Sequence, residues 1–213
     1  FIEVKSRHHA LLMVDEAHSL GVIGATGRGL AEHAGVDPTA IDIGMGTLSK
    51  TLASCGGYLT GRTELIDYLR YSAPGFVFSV GMTPANAAAA LAALRVLRDE
   101  PQRVTAVRAR TAEFVAACRA HGIDTGASHG SAIVPVIVGD AERALRLSHE
   151  LRSLGVEAPP MLPPSVPEGQ ARLRFFVSSA HTAADIAHTV NALEQVLALE
   201  GASLRSAATR SSR

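Results

Sequence analysis

Two short segments of the chain carry side chains able to hold and activate a small molecule. Asp15-Glu16-Ala17-His18 follows an apolar run at 10–14, and Thr47-Leu48-Ser49-Lys50 follows a second run at 41–46. A carboxylate where a buried strand ends can meet a cationic ring nitrogen, and a histidine three residues on can face the same ligand. Hydroxyls such as those of Thr47 and Ser49 hydrogen-bond phosphate oxygens, while Gly56-Gly57 let backbone come close to a ligand. A lysine amine kept neutral by burial and neighbouring cations is a nucleophile toward an aldehyde. Each segment alone also has an ordinary explanation. Asp15 could cap a helix or bind a metal with His18 a loop residue, and Lys50 could be a surface lysine in a Ser/Thr loop. Lysine is scarce here, with only Lys5 and Lys50 against 18 arginines, so its retention in this loop points toward a use.

The elements that must position these residues alternate between strands and helices, which implies an α/β protein. Short strands are predicted at 10–14, 41–46 and 56–61, the first of them as a buried parallel strand. A helix at 63–71, a strand at 76–78 and an alanine-rich helix opened by Pro84 follow. Pro101 breaks that helix, and a second one runs to about His121 before Gly122 stops it. The strand at 132–138 carries Pro135 and is expected near a sheet edge. Asp140 caps a helix running to Leu154, and 156–161 is extended. At 172–177, Arg172, Arg174 and Phe176 alternate with Leu173, Phe175 and Val177, and 182–199 is a closing amphipathic helix. Residues 1–100 read as part of a large domain with a mainly parallel sheet, 101–200 as a small α/β domain, and 201–213 as a disordered tail. Phe1-Ile2-Glu3-Val4 has neither an initiator Met nor a signal-peptide pattern and reads as a helix entered midway. The expectation is a fragment whose N-terminal part is missing.

Composition narrows the function classes. The 213 residues balance 20 basic against 20 acidic side chains, without a basic run, so nucleic acid is not an expected partner. No apolar stretch reaches the roughly 18 residues of a membrane span. Cys55 and Cys118 show neither metal-type spacing nor a disulfide framework, and a reducing cytoplasm is the expected location.

Taken together, Asp15-Glu16-Ala17-His18, Gly27-Arg28-Gly29, Thr47-Leu48-Ser49-Lys50 and Gly56-Gly57 resemble the α-oxoamine synthase family of fold-type-I pyridoxal-phosphate enzymes. The resemblance continues through Phe78-Ser79, Pro84, Pro163-Pro164-Ser165-Val166-Pro167 and Arg172-Leu173-Arg174 to His181. It implies that Lys50 carries pyridoxal phosphate as a Schiff base and moves the substrate α-proton. Asp15 would pair with the pyridine nitrogen, Ala17 lie under the ring, His18 bond its phenolic oxygen and Thr47 bind the phosphate. Ser79 resembles a residue reaching a phosphate across a homodimer interface, and Arg174 one that binds the amino-acid carboxylate. The activity implied is decarboxylative condensation of an amino acid with an acyl thioester, on coenzyme A or a carrier protein. Val80 departs from the family pattern, which often has a second phosphate hydroxyl there. Ser49 stands in place of a common glycine. Leu162 replaces an arginine that some members carry, which leaves the acyl group open. An aminotransferase of the same fold and an inactive fragment or non-catalytic subunit are the alternative readings.

Overall fold

Three short strands form the sheet of the first unit, Phe1–Thr105, in the order β1 (Met13–Asp15), β2 (Ile43–Thr47), β3 (Gly57–Gly61). β1 and β2 run parallel with Asp15 opposite Met45, and β3 returns antiparallel with Gly57 opposite Thr47. A parallel pair needs a crossover, and here it is a glycine-rich loop, the short helix α2 (Leu30–Ala34) and a 3-10 turn at Pro38–Ala40. These three strands, expected as part of a larger mainly parallel sheet, hold one parallel and one antiparallel pairing. β1 is also shorter and more open than the buried strand predicted at 10–14. It has one neighbour in the sheet, and Met13 keeps 53% of its surface exposed. This chain's computed structural model describes residues 1–128 and 130–211, with side chains to residue 199.

Helix α1 (Ile2–Arg7) is tied to the start of β2 by Lys5, whose Nζ lies 2.6 Å from Asp42, and the Leu12 N–H donates to the same carboxylate oxygen at 2.8 Å. The amide bond from Leu12, then Lys5, holds the Asp42 carboxyl below its ordinary range. After β3 come α3 (Thr63–Ser72), α4 (Pro74–Val77) and α5 (Pro84–Asp99). The apolar triplet at 76–78, predicted as a strand, instead falls at the end of a helical turn. Pro74 opens α4 and the Ala73 carbonyl accepts from both Phe76 and Val77 N–H groups. α5 begins with Pro84 and is capped by Thr83, whose hydroxyl accepts from Asn86 N–H at 3.3 Å.

The unit boundary falls within α6 (Gln102–Ala120). The second unit contains β4 (Ile133–Gly139), α7 (Ala141–Ser153), β5 (Pro160–Met161), β6 (Ala171–Phe176) and α8 (Ala183–Ser211). Its sheet has the order β4-β6-β5 with both pairings antiparallel. β4 thus lies at an edge, where Pro135 removes no inner ladder bond. Val134, Val136 and Val138 turn inward against Phe114, Leu147, Leu151, Leu173 and Leu193, a period-two pattern facing helical stripes. The rings of Phe114 and Phe175 meet at 5.1 Å between centroids. Asp140 caps α7 by accepting from Arg143 N–H at 2.8 Å. α8 continues to Ser211, through most of the segment 201–213 that was expected as a disordered tail, and residues 212 and 213 lie outside the described residues.

Two consequences can be measured. Leu173 is fully buried on β6 at the centre of the sheet, so Leu173→Ala is expected to cost about 2–5 kcal/mol in denaturant unfolding. Burial raises the Cys118 thiol pKa to about 12, whereas Cys55 is exposed. Thiol labelling of the native protein, mapped by peptide mass spectrometry, should mark Cys55 and reach Cys118 only after denaturation.

Candidate active site

The parallel β1–β2 pair sends both chains out at one edge of the sheet, and the two chemistry-bearing segments leave there. Beyond the ladder, the Glu16 N–H still donates to Met45 O at 2.6 Å, so the Asp15 loop stays against β2 for one residue more. Asp15 Oδ1 accepts from the Ala17 N–H at 2.8 Å. Among the described residues its Oδ2 has no hydrogen-bond partner. On the neighbouring strand, Thr47 Oγ1 lies 2.8 Å from Ser49 Oγ and also accepts from the Ser49 N–H at 3.2 Å. Leu48 N–H donates to Gly56 O, Ser54 N–H to Leu48 O and Ala53 N–H to Lys50 O, closing the loop around Lys50. Lys50 itself is exposed, and its amine makes no hydrogen bond or ion pair among the described residues.

The two loops are bonded to each other. Thr51 Oγ1 donates to Leu20 O at 2.7 Å, and Gly21 exists as glycine because of that contact. Gly21 has φ +80°, and a Cβ there would lie 2.2 Å from Thr51 Cγ2. Glu16, to which the motif assigned no role of its own, is the organiser of this region. Its carboxylate accepts from the Leu30 N–H at 3.0 and 3.1 Å and from the Ser19 hydroxyl, anchoring α2 to the loop after β1. Glu32 performs the same service within the glycine loop, taking bonds from Thr26 N–H, Thr26 hydroxyl and Arg28 N–H. The Thr26 hydroxyl, then the Arg28 amide, lower its pKa. Tyr58 is the second residue missed: it stands opposite Gly46, and a Cβ on Gly46 would strike its ring at 2.4 Å. Burial, then the Glu16 charge, raise its phenol pKa. Only the strand register reveals that neighbour.

Asp15, Ala17, His18, Thr47 and Lys50 thus lie at the ends of two adjoining strands and on the loops that leave them. Ser79 does not join their hydrogen-bond network. It is exposed after α4, where its hydroxyl donates to Phe76 O at 3.2 Å. Arg174 belongs to the second unit, on the outer face of β6, with its guanidinium 4.8 Å from the Phe176 ring centroid. Its Nε is buried and has no hydrogen-bond partner, an uncommon cost for a guanidinium. A carboxylate with a vacant oxygen, an unpaired amine and a hydroxyl pair match the needs of a cationic ring nitrogen, an aldehyde and a phosphate. This donor set fits pyridoxal phosphate.

The fold and these loops are those of the fold-type-I pyridoxal-phosphate proteins. The chain belongs to the aminotransferase class I and II family, whose model matches residues 1–193. It is 44% identical to an 8-amino-7-oxononanoate synthase of Anaeromyxobacter dehalogenans, over 92% of this chain and 48% of that protein. With the 8-amino-7-oxononanoate synthase of Thermosipho melanesiensis it shares 38% identity over 92% of this chain and 49% of the relative. A serine palmitoyltransferase from S. paucimobilis, solved with a bound PLP–myriocin aldimine, superposes with a TM-score of 0.88 at 26% identity. That match covers 94% of this chain and 50% of the solved one. These relatives are α-oxoamine synthases, as the motifs implied. The chain spans about half the length of the curated relatives it matches.

The close approach at Gly21 gives a direct test of how the loops are held. Gly21→Ala should destabilise the protein by about 1–3 kcal/mol in denaturant unfolding, through backbone strain and the clash with Thr51. Adding Thr51→Ser, which removes the methyl but keeps the hydroxyl, should recover part of that loss.

Proposed function

We propose that the full-length protein is a pyridoxal-phosphate-dependent acyltransferase, condensing an amino acid with an acyl thioester to give an α-amino ketone. The observation that carries the reading is the parallel β1–β2 pair, which ends on Asp15 and on the Thr47–Lys50 loop at one edge. The names of the relatives favour this activity over amino transfer within the same fold.

In the reaction, the new bond joins the amino-acid α-carbon to the acyl carbon, the thiol leaves, and the amino-acid carboxyl group departs as carbon dioxide. Pyridoxal phosphate, when bound, supplies an aldehyde and a ring that draws electrons from the α-carbon. Lys50 Nζ is the amine for that aldehyde and the base that takes the α-proton. The Asp15 carboxylate would pair with the ring nitrogen and favour its protonated form. Ala17 would leave room under the ring, and His18 would hydrogen-bond the phenolic oxygen. Thr47 holds the phosphate through its hydroxyl. Arg174 binds the amino-acid carboxylate, a task that would satisfy its unpartnered Nε. The protein works as a homodimer in the cytoplasm in this reading. The exposed Phe78 and Val80 on either side of Ser79 in the chain are apolar side chains suited to burial by a partner subunit.

The test uses the full-length protein with added pyridoxal phosphate. A visible absorbance band should appear and be lost in Lys50→Ala, while carbon dioxide release from an amino acid and an acyl thioester should fall by about 10²–10⁴-fold or more. Keto-acid-dependent amino transfer without carbon dioxide release would overturn the assignment.

A further inference from the structure

Helix α2 is capped from a distance. Its N-cap is Gly29, which has no side chain to offer, although serine, threonine, aspartate or asparagine there would cap it locally. The acceptor for its first amide comes instead from Glu16, 14 residues upstream, whose carboxylate oxygens lie 3.0 and 3.1 Å from the Leu30 nitrogen. Position 29 has to be glycine for this to happen. Its φ is +92°, and a Cβ there would enter the Glu16 carboxylate. A task that the helix could perform for itself is thus given to a residue of the reaction loop.

The consequence falls on the residues beside Glu16. Ala17 and His18 are the two residues inside a turn whose ends are Glu16 and Ser19. That turn is stapled twice, by the Ser19 N–H to Glu16 O at 3.1 Å and by the Ser19 hydroxyl to the Glu16 carboxylate. Ser19 is buried, so packing fixes its half of the staple. Asp15 is caught in the same arrangement, since its Oδ1 accepts from the Ala17 N–H inside the turn. The Glu16 N–H is held in turn by Met45 O, so every polar group of Glu16 is engaged. The donors to its carboxylate are neutral, and among the described residues no cation pairs with it. We infer that Glu16 is a positioning residue for the reaction, locked over Gly29 so that Asp15 and His18 are held at the angles their roles require. The inference rests on the functional reading above, and it adds a residue that acts only through those two.

The test follows the Lys50-dependent absorbance band of the full-length protein, loaded with pyridoxal phosphate, as pH is varied. Asp15 would keep a positive charge on the ring nitrogen, which opposes a second proton on the nitrogen that Lys50 supplies. His18 at the phenolic oxygen would favour the same deprotonated form, so loosening either residue raises the midpoint. Glu16→Ala is expected to raise it by about half a unit or more, and to lower kcat/KM for carbon dioxide release about tenfold to a hundredfold. Glu16→Gln, which keeps the reach and one carbonyl acceptor, should recover most of both. Gly29→Ala should move the midpoint as Glu16→Ala does, and the double variant no further than Glu16→Ala alone. Gly29→Ala also carries the test if Glu16→Ala does not fold. In the cofactor-free protein, hydrogen exchange at the Leu30 amide should quicken in Glu16→Ala. Glu32→Ala removes the other carboxylate clamp of the glycine loop and should leave the midpoint in place. An unchanged midpoint in Glu16→Ala and Gly29→Ala overturns the inference even where stability falls, because a helix cap alone would cost only stability. An equal shift in Glu32→Ala overturns it too, by tracing the effect to general loosening of the loop. A wild type without a Lys50-dependent band overturns the functional reading itself, and the inference with it.

Discussion

The parallel register between β1 and β2 is the constraint from which the candidate site follows. Asp15 and Lys50 belong to segments separated by a crossover, and only a parallel pairing brings the carboxyl ends of both strands to one edge. An antiparallel pairing would set Asp15 beside the start of β2, away from Thr47. The register is fixed by more than three ladder pairs. The bond from Glu16 N–H to Met45 O extends it, and the Glu16 side chain then fastens the same turn to the first amide of α2. Glycine at position 29 is part of this device, because a Cβ there would lie 2.4 Å from the Glu16 carboxylate.

The two units are stabilised by different physics. The second is held by an apolar core running from Phe114 to Val196 through the inward faces of β4 and β6. The first has few buried apolar side chains and depends on polar clamps instead: Glu16 on α2, Glu32 on the glycine loop, Asp42 on Lys5 and Leu12, and Thr51 on Leu20. Such clamps are directional, which suits loops that must present particular atoms. Hydrophobic burial is not directional and suits a scaffold. Phe78 and Val80 stay 86% and 95% exposed in the first unit, which is costly for a surface with no partner.

What the sequence revealed follows the same division. Period-two alternation at β6 and the Asp140 cap are local signals, and both elements form where they were expected. The edge position of β4 was legible from Pro135. The triplet at 76–78 was not, since three apolar residues carry no period and the turn at Pro74 decided its conformation. The mixed sheet was equally hidden, because strand direction depends on the path of the intervening chain. At the site, Asp15 and Lys50 were visible by type and motif. The role of Glu16 was not, because its amide partner lies 14 residues away and its effect is to place other groups. Tyr58 becomes a neighbour of the site only through the register of β3.

The two lysines show why a residue type alone could not settle the chemistry. Both sit about β2: Lys5 against Asp42 just before the strand begins, and Lys50 just after it ends. At the first position the cation answers a carboxylate that also accepts a backbone amide, which is a structural use. At the second, no carboxylate among the described residues bonds the amine, and the surrounding groups are hydroxyls and a tightly closed backbone loop. Arginine would serve the first role well, since it stays protonated and pairs readily with a carboxylate. It would fail in the role proposed for the second, because a guanidinium has no free lone pair to give an aldehyde and cannot act as a base near neutrality. In a chain that otherwise prefers arginine, the position where the two residues are least interchangeable is the one at the mouth of the parallel pair.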